Sequence, residues 1–278
     1  MNRAEEIPLT IIKPSRGLIS VRWRELWDYR ELLYFLAWRD IKVRYKQTVL
    51  GVLWVVLQPL LLMLVFTFFF GKLAKIPSEG VPYPIFAYTA LLPWQLFARG
   101  LNDASTSLVV NERIITKVYF PRLLVPLSTV LAALLDFFIA FGILIILMLY
   151  YGIIPTYAIF TLPIFVLLTV LTSCGIGLWS SALDVQYRDI RYTIPFLTQL
   201  WFFATPIVYP FSMVPEKWRP ILSLNPMCGV VEGFRWALFG KPFISMASAF
   251  VSFLAVLLVF LGGVYFFRKT ERTLADVI

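Results

Sequence analysis

Residues Leu123 to Leu183 read LLVPLSTVLAALLDFFIAFGILIILMLYYGIIPTYAIFTLPIFVLLTVLTSCGIGLWSSAL, and Asp136 is the only charge among them. A hydrocarbon core of about 30 Å takes roughly 20 apolar residues as a helix, so this stretch is too long for one span. It breaks at Tyr150-Tyr151-Gly152-Ile153-Ile154-Pro155, a turn signal that also carries interfacial tyrosines. Two membrane helices joined by a very short hairpin follow.

Working outward, four further charge-free runs appear: Gln47–Gly71, Gly80–Ala98, Tyr192–Pro215 and Pro242–Phe267. Together they predict an all-α integral membrane fold of six spans, near 49–70, 84–106, 122–149, 158–182, 193–210 and 245–267. An even number puts both termini on one side. With the termini inside, the inner segments hold 18 of the 25 basic residues and the outer segments 6. That bias predicts cytoplasmic termini in a cytoplasmic (inner) membrane. Residues 1–29 then form a cytoplasmic tail, 30–268 the membrane domain and 269–278 a second tail. Met1 to Lys46 is too charged for a cleaved signal peptide.

Composition agrees. The 278 residues are 60% hydrophobic, 17% aromatic and only 15% charged, with mean hydropathy +0.80. A soluble domain carries about 25% charged residues, so an ordinary soluble enzyme is excluded. The absence of histidine removes imidazole bases and His-ligated metals. Two cysteines, Cys174 and Cys228, are too few for a disulfide framework or a four-thiolate zinc site. The net charge of +9 belongs to membrane topology before nucleic acid. No phosphate-binding G-x-x-x-x-G-K-[ST] loop is present, since Gly71-Lys72 and Gly240-Lys241 both lack the upstream glycine. If ATP drives this protein, another chain binds it.

Three segments outside the spans carry structure. In Leu33–Lys46, helical spacing gathers Tyr34, Ala37, Trp38, Ile41 and Tyr45 on one arc, with Arg39, Asp40, Lys42 and Lys46 on the rest. This predicts an amphipathic helix at the cytoplasmic interface, aromatics inward and cations outward. It is either a plain anchor for the first span or also a groove for a protein partner or an anionic lipid head. The inner loop Asn111–Arg122 is short, amphipathic and mixed in charge, fit to take a push from a soluble motor. The outer loop Phe211–Ile244 is too long for a hairpin. Asn225-Pro226 reads as an N-cap with proline at the first helical position, and Gly240 as a C′ residue, which predicts a helix over Pro226–Phe239. A second short helix starts near Pro215. Glu232 and Arg235 are spaced to pair. Such outer elements must be re-entrant and packed on protein.

Within the spans, Asp136 is a functional candidate by default. It either pairs with Arg99 and fixes helix packing, or couples transport to protons. Trp54, Phe66, Phe69, Trp94, Trp201, Phe202 and Tyr209 lie in spans one, two and five. They either face lipid and core, or stack on the C–H faces of sugar rings along a channel.

The residues resemble a known family, the permease subunits of ABC exporters for O-antigen, capsule and teichoic-acid polymers. The resemblance is carried by Arg39-Asp40-Ile41-Lys42-Val43-Arg44-Tyr45-Lys46-Gln47-Thr48-Val49-Leu50-Gly51, by Leu53-Trp54, Gln58-Pro59, Pro93-Trp94 and Asn111-Glu112 with Lys117 and Phe120-Pro121. Tyr187-Arg188-Asp189-Ile190, Thr205-Pro206-Ile207-Val208-Tyr209 and Leu224-Asn225-Pro226 complete it. It covers about 30–272. It implies six membrane helices, an interfacial N-terminal helix and gate helices between spans five and six. It implies a homodimer with two copies of a nucleotide-binding ATPase, which holds ATP and magnesium while this chain holds no cofactor. Spans one and five would line a channel for a lipid-linked polysaccharide. Contacts to the ATPase would come from Arg39, Lys42, Lys46, Asn111, Glu112, Arg113, Lys117, Arg188 and Asp189. The competing readings are an ion-coupled carrier acting alone, built on Asp136, an exporter of another amphipathic substrate, and a membrane-embedded transferase or phosphatase.

Overall fold

The computed structural model describes residues 23–46, 51–240 and 245–277. Met1–Arg22 of the predicted tail, and the Gln47–Leu50 part of the family motif, lie outside the described residues. Among those described, every regular element is a helix.

The helices are α1 (Trp23–Asp28), α2 (Arg30–Lys46), α3 (Gly51–Phe66), α4 (Tyr83–Val110), α5 (Glu112–Ile115), α6 (Leu124–Tyr150), α7 (Leu162–Gln186), α8 (Ile190–Phe203), α9 (Arg219–Ser223), α10 (Pro226–Phe239) and α11 (Met246–Val277). A π-helical turn, Thr67–Leu73, extends α3. Four segments are long and apolar enough to cross a membrane: Gly51–Leu73, Leu124–Tyr150, Tyr157–Gln186 and Ala247–Glu271. The expected second and fifth spans differ. α4 is 28 residues long but carries Arg99 and Asp103 on one face, which lowers its hydropathy. α8 has only 14 residues and stops at Phe203, short of the expected 210, because Pro206 supplies no N–H and restricts Thr205 before it. The tail expected from 269 continues instead as α11.

The hairpin after α6 forms at its turn signal. Gly152 takes φ +66°, and Ile153 N–H donates to Met148 O at 2.9 Å. This is the 6→1 bond that closes a helix with glycine at C′. Small residues then let helices meet at backbone distance. A Cβ at Gly175 of α7 would sit 2.8 Å from Phe260 Cα of α11, and one at Gly263 would overlap the Gly175 carbonyl. With no hydrophobic drive between helices in lipid, such close packing holds a bundle together.

Two apolar cores mark the two ends of the bundle. One joins Leu36, Ile115, Phe120, Leu124, Ala182 and Phe267. The other, much larger, joins the start of α4, the end of α6, Ile207 and Val208, and α10. The segments expected inside thus gather at one end, and those expected outside gather at the other.

Candidate functional site

α3, α4, α6 and α8 enclose a cavity of about 710 Å³. Its apolar wall comes from Phe66, Trp94, Phe202 and Phe203. Phe202 packs edge-on to Trp94, with centroids 5.5 Å apart, and lies 5.7 Å from Phe66. The opposite character comes from α4, where Gln95, Arg99 and Asn102 recur at i, i+4 and i+7 and so share one face. Gln58 of α3 and Gln199 of α8 add two more amides.

A charged pole closes one side. Asp136 of α6 accepts from Arg44 Nη1 at 2.8 Å and from the Tyr45 hydroxyl, and pairs ionically with Arg99, whose Nε lies 3.0 Å away. Arg44 Nη2 also donates to Asp103 at 2.6 Å. Burial, then the bond to Asp136, push the Tyr45 phenol above its ordinary range, so it stays a donor. Charges removed from water need partners and saturating hydrogen bonds, and this cluster supplies both.

These contacts rotate α2 part-way from the expected face, with Tyr45 inward and Lys42 and Lys46 exposed as expected. Its bundle-facing side carries Leu33, Leu36, Asp40 and Arg44, while Tyr34, Phe35 and Trp38 are exposed. Tyr34 stacks on Trp38 at 6.5 Å and 6°, and Lys42 Nζ lies 5.8 Å from the Trp38 ring. Hydropathy alone favours aromatics inward; buried acids on α4 and α6 instead draw the arginines in. Further along, Arg39 bridges Asp40 and Asn111 Oδ1, each at 2.7 Å. Asn111 caps the C-terminus of α4 immediately before α5.

At the opposite end, the irregular run 204–210 leaves carbonyls without helical donors. Arg235 of α10 supplies them, donating to Pro206 O and Ile207 O at 2.8 Å each. Its charge is met by Glu232 at 2.7 Å, and its guanidinium lies 3.6 Å from the Phe86 ring centroid. Asn225 is the second tie. Its Oδ1 accepts from Met227 N–H as the α10 N-cap and from Trp201 Nε1 at 2.9 Å. Its Nδ2 donates to Thr205 Oγ1 at 2.9 Å. α10 runs over Pro226–Phe239 with Gly240 left-handed at φ 63°, as its cap signals dictate.

Of the aromatics singled out from sequence, Phe66, Trp94 and Phe202 line the cavity. Trp54 and Phe69 are about half exposed on the bundle's outside, at 52% and 53%. Trp201 and Tyr209 belong to the Asn225 and Arg235 ties. Of the residues expected to meet an ATPase, Lys42, Lys46, Glu112, Arg113, Lys117, Arg188 and Asp189 are exposed, while Arg39 and Asn111 are held against the bundle. The expected push-bearing helix is one turn, α5, followed by a turn through Lys117. Sequence reasoning missed Arg44, Tyr45, Asp103 and the amides. The polar spacing Gln95–Arg99–Asn102 in an otherwise apolar run was the available signal.

Residues 31–239 match the family model described as ABC-2 type transporter. The chain belongs to the ABC-2 type transporter family. The matched region of this ABC-2 chain begins in α2 and ends on the last residue of α10, so it contains the cavity, its charged pole and both end structures. The chain is 32% identical over 252 residues to the O-antigen export system permease protein RfbA of Myxococcus xanthus, covering 90% of this chain and 95% of the relative. A Klebsiella pneumoniae protein of the same name is 28% identical over 249 residues, 89% and 95% of the two chains. The polysialic acid transport protein KpsM of Escherichia coli is 27% identical over 199 residues, 70% and 76%.

Proposed function

We propose that this ABC-2 chain is the membrane subunit of an ATP-driven exporter that moves a lipid-linked polysaccharide outward across the cytoplasmic membrane. The carrying observation is the cavity between α3, α4, α6 and α8, whose lining combines aromatic rings with side-chain amides. Aromatic rings stack on sugar C–H faces, and amides both donate to and accept from hydroxyls. The O-antigen and polysialic acid relatives support the same substrate class.

The remaining parts of the reading follow. Six crossings with both termini cytoplasmic are supported by the two-ended core and the basic bias of the inner segments. A second copy completes the channel, packed against the flank of α3 and α8, where half of the side chains are exposed. Two copies of a separate ATPase hold ATP and magnesium and supply the energy of hydrolysis. They dock against α5, the α7–α8 turn and the outer face of α2. α10 and the short helices before it gate the exit.

An ion-coupled carrier built on Asp136 is the second reading. It is disfavoured by Arg44, Arg99 and Tyr45, which saturate that carboxylate. The test is surface polysaccharide in a strain lacking this chain, rescued with the chain plus its ATPase or with an ATPase unable to hydrolyse ATP. Rescue only with the active ATPase supports export by hydrolysis. Rescue with the inactive one overturns it in favour of the carrier.

A further inference from the structure

The charges and unpaired groups at the cavity name the kind of sugar it takes. The titratable residues lining it are Arg99, Asp103 and Asp136. Arg99 is bound to Asp136 at 3.0 Å, and both acids are also held by Arg44, at 2.6 and 2.8 Å. Two arginines and two carboxylates balance, and each cation already has an acid against it. The wall therefore offers no surplus positive charge to an incoming anion.

The neutral polar groups differ. Gln95 Nε2 and Asn102 Oδ1 lie out of solvent with no hydrogen-bond partner. The other end of the Asn102 amide is engaged, since its Nδ2 donates to Ala98 O at 2.7 Å. A buried polar group left unpaired bears its full desolvation cost, so these two atoms point to a ligand. One is a donor and the other an acceptor, on the same face of α4. Terminal amide torsions are soft, so a bound group can turn either atom toward itself. A hydroxyl satisfies both kinds of atom. A carboxylate satisfies only the donor and repels Asn102 Oδ1, Asp103 and Asp136. The volume, about 710 Å³, falls within the range of small-ligand sites.

We infer that this cavity is a sugar-binding subsite selective for neutral, hydroxyl-rich units over acidic ones, read by Gln95 and Asn102 against the Trp94–Phe202 wall. The inference rests on the proposed function and narrows its substrate. The polysialic acid relative handles the opposite class of polymer, so membership of the family does not decide the matter.

The test expresses the full chain with its own ATPase in two exporter-deleted strains, one making a lipid-linked neutral hexose polymer and one making polysialic acid. Surface polymer is measured with antibody or lectin, alongside the amount of chain in the membrane. The neutral polymer is expected at the surface, with polysialic acid at least tenfold lower. Q95L and the pair Q95L/N102L are expected to cut neutral export at least tenfold at unchanged membrane levels. The unpartnered Gln95 Nε2 means Q95L removes no native hydrogen bond from that atom, so it serves where the double variant folds poorly. Equal or greater export of polysialic acid overturns the selectivity, and wild-type export by Q95L overturns the reading group. Either leaves the export function standing. Export of neither polymer overturns the proposed function itself.

Discussion

Arg44, in the last turn of α2, reaches Asp136 in the middle of α6 at 2.8 Å across 92 residues of sequence. The same guanidinium holds Asp103 of α4. One side chain thus ties the segment ahead of the first span to two walls of the cavity.

Removing Asp136 leaves two arginines to share Asp103. D136L is expected to lower stability by about 3 kcal/mol, since breaking one side of a buried pair leaves an uncompensated charge. R99L should cost less, because Asp136 keeps Arg44 and Tyr45. Thermal unfolding of the purified variants in detergent checks the order. Equal melting of the two would show that Arg44 does not carry the cluster.

The Arg235 tie predicts a large effect at the opposite end. R235L leaves Glu232 unpaired and strips donors from Pro206 O and Ile207 O, at a cost of about 3–5 kcal/mol. N225A removes a helix cap, for about 1–2 kcal/mol. Protease accessibility of the 204–224 region should rise in both variants, and more in R235L.

Helix contact at α7 and α11 admits no side chain. G263A drives a methyl onto the Gly175 carbonyl and should destabilise by about 3 kcal/mol. In α6, a Cβ at Gly142 meets nothing within 4 Å, so G142A should be neutral or stabilising by about 0.5 kcal/mol. Paired melting curves decide it, and a similar loss at both positions would sink the packing account.

Glu112 is exposed in α5, next to the Asn111–Arg39 contact. If α5 receives the ATPase, E112R should cut transport-stimulated ATP hydrolysis about tenfold and leave the chain's own melting temperature unchanged. Unaltered stimulation would remove α5 from the coupling surface.

Much of this molecule follows from residues close together in sequence. Charge-free runs placed the apolar helices, and Asn225, Pro226 and Gly240 bounded α10 to the residue. Those signals are local, because caps and spans depend on neighbours one or two turns away. What periodicity could not supply were contacts between distant residues. Arg39 read as solvent-facing until Asn111 was known to lie against it, and Arg44 gave no signal until Asp103 and Asp136 were known to lie opposite. α8 read as longer because its broken end is satisfied by Arg235, 28 residues away from Ile207. Three of the seven aromatics chosen as channel residues line the cavity; Trp54 and Trp201 sit on other faces of the same helices, Phe69 on the π-helical turn and Tyr209 in the irregular run.

The glycine contact between α7 and α11 reaches beyond stability. Helices that meet through backbone atoms interlock like gear teeth, and neither slides without lifting off the other. α4 also packs tightly on α7, since a Cβ at Gly177 would meet the Ala104 methyl at 2.7 Å. These three helices therefore form a stator, and any widening of the cavity must come from α3, α6 or α8 moving against it.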